Sequence, residues 1–429
     1  MSRQISPSTI VGLIIAFFLI GPSIWLMSEP GVLKKMLIIV GYNPGFWVAV
    51  FLAVAFGLYR KVTNPLKFKW SEVPIQIVTV LLGTFLIYSV LFYSTTELAD
   101  TELWNGKVTQ AEFLEEWDEE VTWEECDTDG KNCQDYSRID HHPAERYIHT
   151  NNGEKKSISK SVYANYVEYY GAERHENLYH SGQVSIGDGD RYYVNYPGRI
   201  KPIWTAIEHQ FVNIFAASQS IKLRKGSAEK FQKYLRPYPI IHGGKFGPIE
   251  VDRVVLGGAT LPEEWIRSVD RGLDEALTVL GKKKQVNVLT YMVNTSDQSF
   301  LHALEEHWVY GKKNDVIVII GTSSFPKIDW VAVIAWTDVE LFKTNLRKEV
   351  MDLKDLSDPS KLVETIVKRV ALPPEMGGFL RKPMEEYQYL ISDISLSWWA
   401  NLLIFLVLGL LSWAIDWALI NNTIRIWRR

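Results

Sequence analysis

Three acidic residues near the ends of predicted strands are the strongest candidates for catalysis. Asp315 starts an apolar run, Asp338 follows the end of another, and Glu305 lies on a predicted helix between strands. Ligands of open α/β sheets bind at strand ends, and a phosphate-ester hydrolase needs a nucleophile, an acid–base group and charge stabilisers there. Asp338 can equally cap a helix, and Glu305 can belong to a solvated helix face. Because no phosphate-binding glycine loop or nucleophile elbow accompanies them, we favour a non-catalytic protein over a hydrolase.

A second acidic group offers oxygen ligands to a divalent cation. Asp127, Asp129 and Asp135 surround Gly130 in a polar loop, as hard cations require. The bidentate glutamate that closes an EF-hand loop is missing. We therefore expect a solvated hairpin tip in preference to a calcium site, and we predict no resident cofactor.

The only two cysteines, Cys126 and Cys133, flank this loop. A disulfide that closes the loop is the favoured interpretation if the region lies outside the cytoplasm. A zinc site with His141 and His142 is the alternative, but the spacing fits no standard zinc pattern. Other histidines of the region show no helical ligand spacing, so surface or structural roles are expected for His149, His175, His180 and His209.

The elements that would position the catalytic candidates lie between residues 260 and 370. Apolar residues there alternate between helical and strand periods in the order αβαββαα, which predicts an α/β domain with a mixed sheet. Thr260 and Glu263 predict a capping box at the first helix, and Gly281 predicts its end. Asp358 followed by proline predicts the start of the last helix.

Four apolar segments, the first three without any charge, predict a membrane anchor of four spans, at residues 10–27, 44–59, 73–92 and 395–420. The basic residues after the second segment and in the tail 421–429 would be cytoplasmic, which places both termini inside and residues 96–394 outside, in the periplasm or the extracellular space. Asp416 in the last segment is a functional candidate, although it can also reach the interface or pair with an arginine.

The predicted architecture is therefore a four-span helical anchor, a small extracytoplasmic α+β module and an α/β domain. A helix over residues 203–216 precedes the linker into that domain. With 46 Lys and Arg against 50 Asp and Glu, the composition gives no indication of nucleic-acid binding. The predicted regions are the N-terminal membrane region 1–95, the module 96–200, a helix and linker 201–245, the α/β domain 246–370, a connector 371–394, the last span and the tail.

The α/β stretch resembles the TPM domain, the fold of the thylakoid lumen protein group. Leu261-Pro262-Glu263-Glu264 opens a helix as in that family, and Trp308, Gly311 and Lys312 lead into the apolar strand 315–320. The whole chain is also similar to multi-span membrane proteins of bacteria and their large phages, through Trp104-Asn105-Gly106 and the TPM-like end.

The TPM resemblance implies a domain tethered on the non-cytoplasmic side of a membrane. Some members of that family are phosphatases, and others assemble or repair membrane complexes. Here Asn314–Asp315 reverses the family's Asp-Asn-Gly turn and lacks its glycine, which weakens a carried-over catalytic site. The expected partners are the lipid bilayer and an envelope protein, and the favoured function is to assemble or protect an envelope complex.

Overall fold

The structure, a computed structural model, divides into two compact units that are discontinuous in sequence. The helical unit takes residues 1–100, 211–223 and 383–429, and the sheet unit takes residues 101–210 and 224–382. The structure describes residues 32–63, 72–95, 99–126, 133–185, 189–213, 217–218, 226–394 and 396–420.

The described helices of the helical unit are apolar and pack through one shared core. Tyr88 and Phe92 lie in this core with Phe46 and Ile404, and the Tyr88 hydroxyl donates a hydrogen bond to Asn401 Oδ1 at 3.0 Å. The helices are α1 (Val32–Tyr42), α2 (Pro44–Thr63), α3 (Glu72–Thr95) and α10 (Trp398–Ile420), with a 3-10 segment at Met384–Asp393.

The predicted four-span anchor is wrong. Among the described residues only α2 is both long and apolar enough to cross a membrane, and the apolar stretches Leu81–Ser94 and Trp398–Leu410 fall in the range of 10–17 residues. A single candidate span does not make up an anchor of four. The predicted span 10–27, the tail 421–429 and the side chain of Asp416 lie outside the described residues.

The first part of the sheet unit is a six-stranded sheet built around one long strand. Strand β1 (Ala99–Leu114) pairs antiparallel with β4 and β8, and the order of the sheet is β5-β4-β1-β8-β6 with β9 also on β1. Helix α4 (Lys160–Tyr170) packs its tyrosines against this sheet. The strands are β4 (Glu145–Thr150), β5 (Lys155–Ser157), β6 (Arg174–Glu176), β8 (Arg191–Asn195) and β9 (Trp204–Val212).

The predicted helix over residues 203–216 is wrong, because residues 204–212 form strand β9. The four-residue spacing of Ile203, Ile207 and Phe211 indicated a helix. The free edge of β1 instead supplies backbone partners for β9, and such non-local pairing overrides a weak local pattern.

Helix α5 (Ser227–Phe231) and a hairpin of β10 (His242–Gly244) and β11 (Gly247–Glu250) lead into the second part of the sheet unit. This part is a four-stranded mixed sheet in the order β12-β13-β14-β15. The first three strands are parallel, and β15 runs antiparallel to β14. Its elements are β12 (Val254–Gly257), α6 (Glu263–Lys284), β13 (Asn287–Val293), α7 (Phe300–Trp308), β14 (Asp315–Gly321), β15 (Trp330–Ala335), α8 (Glu340–Asp352) and α9 (Pro359–Ala371). The order of elements predicted for residues 260–370 is therefore observed, with a mixed sheet.

Helices cover both faces of this mixed sheet. Val316 and Val318 point to one face and pack with α6, α8 and α9, while Ile317 and Ile319 point to the other and pack with α7. Because successive side chains of a strand alternate between faces, β13 and β14 are buried along their whole length.

Two of the three predicted helix boundaries differ from those observed. Pro262, not Thr260, is the N-cap residue of α6 and provides no side-chain cap, and the helix continues past Gly281 to Lys284. Asp358 does cap α9, because its carboxylate accepts the Ser360 backbone N–H.

Candidate functional site

Asp315, the strongest catalytic candidate from the sequence, is enclosed at the amino end of β14. Its carboxylate accepts hydrogen bonds from Tyr238 Oη at 2.9 Å, from Asn287 Nδ2 at 2.8 Å and from the Lys312 backbone N–H at 2.7 Å. Burial raises the pKa of Asp315 to about 6, although these donors act in the opposite direction. Burial, and secondarily the neighbouring Asp315, raise the pKa of Tyr238 well above its usual value.

A second buried network adjoins the first through Asn287. The fully buried Arg253 donates through Nε to Asp274 Oδ1 at 2.9 Å, through Nη2 to Asn105 Oδ1 at 2.6 Å, and through Nη1 to Asn287 Oδ1. Burial raises the pKa of Asp274 to about 7, and Arg253 opposes this shift. The side-chain amide of Asn287 therefore links the network of Asp315 to that of Arg253 and Asp274.

Both networks lie at the amino edge of the parallel strands. Arg253 precedes β12, Asn287 begins β13, and Asp315 begins β14 directly opposite Asn287 in the register. Ligands of open α/β sheets bind at the carboxyl edge, where the strand ends form a crevice. A buried carboxylate held by three donors stabilises the packing of this edge and is closed to a substrate.

The structure does not bring the other two catalytic candidates to Asp315 in an open cleft. Asp338 is exposed at 69% of its side chain and accepts from Lys382 Nζ at 2.9 Å. Glu305 pairs with His302 at 3.0 Å and lines a shallow cleft of about 220 Å³ beside Trp336.

The Cys126–Cys133 disulfide is present, as predicted. It closes a hairpin of β2 (Trp117–Glu125) and β3 (Gln134–His142), which we call the arm. Strand β7 (Gln183–Ser185) pairs with the base of β2 and completes a three-stranded sheet.

The predicted cation ligands form no site among the described residues. Asp135 is exposed on the arm, and Asp127 and Asp129 lie outside the described residues. Glu124 lies beside both cysteines, but a sulfur atom in a disulfide is no thiolate ligand. The arrangement gives no support to a zinc or calcium site here.

One face of the arm combines aromatic and acidic side chains. There Trp123 stacks on Tyr136, with ring centroids 5.8 Å apart, and both rings are exposed. The cross-strand register places Glu119, Glu125 and Asp140 on the same face as these rings. An arm with this surface can dock to a protein through aromatic and acidic contacts.

Histidines hold the base of the arm. His142 and His180 stack on the Trp117 ring, with centroids 4.2 and 4.0 Å away. His141 pairs with Asp118 at 2.7 Å. The histidines predicted to be structural thus have packing and ion-pair contacts, and no spacing rule in the sequence indicates their convergence on one tryptophan.

Comparisons with family models, curated proteins and solved structures give no match to this chain. The TPM resemblance therefore stays a prediction that rests on the quoted motifs.

Proposed function

We propose that this protein is a membrane-anchored adaptor whose sheet unit lies outside the cytoplasm and docks, without catalysis, to a basic surface of an envelope protein. The arm is the docking element. The observation that carries this proposal is the exposed arm itself, which presents two aromatic rings and several carboxylates on one face.

Membrane anchorage is supported by the outward surface of the helical unit. Helix α2 is long and apolar enough to cross a bilayer, and Phe51 on it is 71% exposed. Soluble monomers rarely expose large contiguous apolar patches, so lipid is the partner that fits this surface. Other exposed apolar side chains of the unit are Trp47, Leu52, Tyr59, Val62, Leu403, Leu406, Leu410 and Trp413.

The extracytoplasmic location is supported by the disulfide between two exposed cysteines. Such bonds persist in oxidising compartments and are rare in a reducing cytosol. The basic residues Arg60 and Lys61 at the end of α2 are consistent with a cytoplasmic end of that helix.

A non-catalytic role is supported by the positions of the acidic candidates. Asp315 is sealed from solvent, whereas Asp338 is exposed and pairs with a lysine. A hydrolase needs such groups to converge on one reacting atom. No described contact provides that convergence.

The chemistry of the partner follows from the charges of the arm. Acidic side chains outnumber basic ones there, and the one arginine, Arg138, already pairs with Asp140 at 2.7 Å. A complementary partner surface carries lysines or arginines around an apolar patch that receives Trp123. The acidic residues of the arm are Asp118, Glu119, Glu120, Glu124, Glu125, Asp135 and Asp140.

A site-specific photo-crosslinker at Gln134 of the full chain, in native membranes, tests the proposal, because Gln134 lies on the same face of the arm as Trp123. We expect one discrete crosslinked protein, whose yield falls in high salt because screening weakens exposed charge contacts. Glu125→Lys and Trp123→Ala, on this face, should each reduce that yield at least about fivefold, since hot-spot residues carry most of the binding energy.

The matched control is Glu364→Lys, which makes the same charge change at an exposed position of α9. It should leave the yield unchanged. The absence of a discrete product, or equal losses with Glu125→Lys and Glu364→Lys, would refute docking by the arm.

A further inference from the structure

A cleft of about 510 Å³ opens at the carboxyl edge of the mixed sheet. It lies where β12, β13 and β14 end, on the edge opposite to the buried carboxylates. Asn294 follows β13 and Thr322 follows β14, while Thr260 precedes α6. This is the crevice in which open α/β sheets bind ligands, and its volume suits a small molecule.

The side chains that line the cleft are uncharged. Hydroxyl and amide groups come from Thr260, Asn294, Thr322, Ser323 and Ser324. The apolar part comes from Ala259, Leu261, Pro262 and Phe325. The Phe325 ring is fixed by an edge contact with Trp265, with ring centroids 5.7 Å apart.

Thr322 provides a second and independent indication of a ligand. It lines the cleft, is only 2% exposed, and its Oγ1 has no hydrogen-bond partner among the described residues. Its backbone N–H is satisfied by the Val293 carbonyl at 2.9 Å. Buried hydroxyls are normally paired, and an unpaired one at a cleft marks a position that a ligand can satisfy.

We propose that this cleft binds a neutral, hydroxyl-rich small molecule, namely a sugar. Hydroxyl and amide groups would exchange hydrogen bonds with the sugar hydroxyls, and Phe325 would pack against the apolar face of the ring. Anchored outside the membrane, the sheet unit would then recognise saccharide in addition to its docking partner.

The surrounding charges argue against the two other common ligands of such clefts. A phosphate is bound by cationic side chains or by a glycine-rich loop at a helix N-terminus; the lining residues include neither a cation nor a glycine, and Glu263 and Glu264 occupy the first turn of α6. A divalent cation needs several carboxylate oxygens, and the lining residues provide none.

Saturation-transfer difference NMR on the purified full chain tests the proposal. The probes are glucose, N-acetylglucosamine and maltotriose, in a detergent without a sugar headgroup. We expect transfer to at least one of them, and no loss of signal on addition of inorganic phosphate or calcium. Thr322→Val should weaken the binding about fivefold, the value of one neutral hydrogen bond.

Thr205→Val is the matched control, because Thr205 is also buried with an unpaired hydroxyl but belongs to β9. Both substitutions remove a buried unpaired hydroxyl, so both should keep or raise the unfolding midpoint, and only Thr322→Val should weaken sugar binding. The proposal is overturned if no sugar receives saturation, if phosphate or calcium displaces the sugar, or if the two variants bind alike.

Discussion

The buried carboxylate of Asp315 should make the mixed sheet more stable in mild acid than at neutral pH. Its pKa is about 6 in the folded chain, against a usual value of 3.8. Because the folded pKa is raised, the native state binds the proton more tightly, and stability rises as pH falls from above 6 to about 4. The difference of about 2 between the two pKa values corresponds to a change of about 3 kcal/mol in the free energy of unfolding, and solvent does not screen this contribution because Asp315 is fully buried.

Hydrogen exchange of the full chain, followed by mass spectrometry, measures this effect locally. Peptides that cover β13 and β14 should show a larger free energy of opening at pH 5 than at pH 7.5, after correction for the intrinsic exchange rate. In Asp315→Asn the group can no longer titrate, so the gain between pH 7.5 and pH 5 should shrink by about 1.4 kcal/mol, roughly half of the full effect, because the remainder falls below pH 5. Asp274, whose pKa is also raised by burial, accounts for a remaining gain of the same sign.

Asp338→Asn is the control, since it removes an exposed carboxylate of the same unit and should retain the wild-type pH dependence. The reasoning would be refuted if Asp315→Asn kept the full wild-type gain. A gain that appeared only below pH 4 would also refute it, because the raised pKa places the change between pH 4 and 6.

Three further predictions concern stability and redox state. Arg253→Met leaves Asp274 buried without its charge partner, so urea titration should show that the free energy of unfolding falls by about 3–5 kcal/mol. Most of this loss should be recovered when Asp274 is also replaced by leucine. A loss below about 1 kcal/mol would contradict this account. In Gly257→Ala the new Cβ would lie 2.6 Å from Tyr291, so thermal unfolding should show that stability falls by about 1–3 kcal/mol. In the control, Gly243→Ala, the new Cβ meets no neighbour within 4 Å, and stability should not change. Thiol titration of protein isolated without reductant should find neither cysteine reactive, and two reactive thiols would count against the extracytoplasmic location.

The order of elements in the mixed sheet was predictable because it depends on local patterns. Strands buried on both faces are apolar at every position, and Val316–Ile320 shows this directly in the sequence. Asp358 also signalled its helix correctly, since a cap and a following proline act within one turn. Thr260 gave an equally local signal that was wrong, because Pro262 occupies the N-cap position.

The elements that were mispredicted depend on distant partners. Residues 204–212 carry a helical spacing, yet they pair with β1, about a hundred positions earlier in the chain. Of the four segments predicted to cross a membrane, only the one in α2 is a candidate span among the described residues. The pairing of β9 with β1 is not readable from a short window of sequence.

The candidate site was predictable in its residues but not in their roles. Asp315 stands out at a strand start, but its enclosure depends on Tyr238, 77 positions earlier, and on Asn287. The polar side chains of the cleft at the opposite edge are serine, threonine and asparagine, which are common residues in any loop. Only the fold, in which the ends of three strands meet, distinguishes these residues from those of other loops.

The interleaving of the two units along the chain constrains the order in which the protein can mature on the ribosome. The sheet unit is interrupted by residues 211–223, and the helical unit needs segments from both ends of the chain. Ile404 and Leu408 of α10 complete a core that Phe46 and Tyr88 begin more than three hundred positions earlier. A nascent chain therefore keeps part of that apolar surface uncovered until its last segment is made. Premature stop codons anywhere before α10 should consequently yield products that quality-control proteases remove, even when the whole sheet unit has been synthesised.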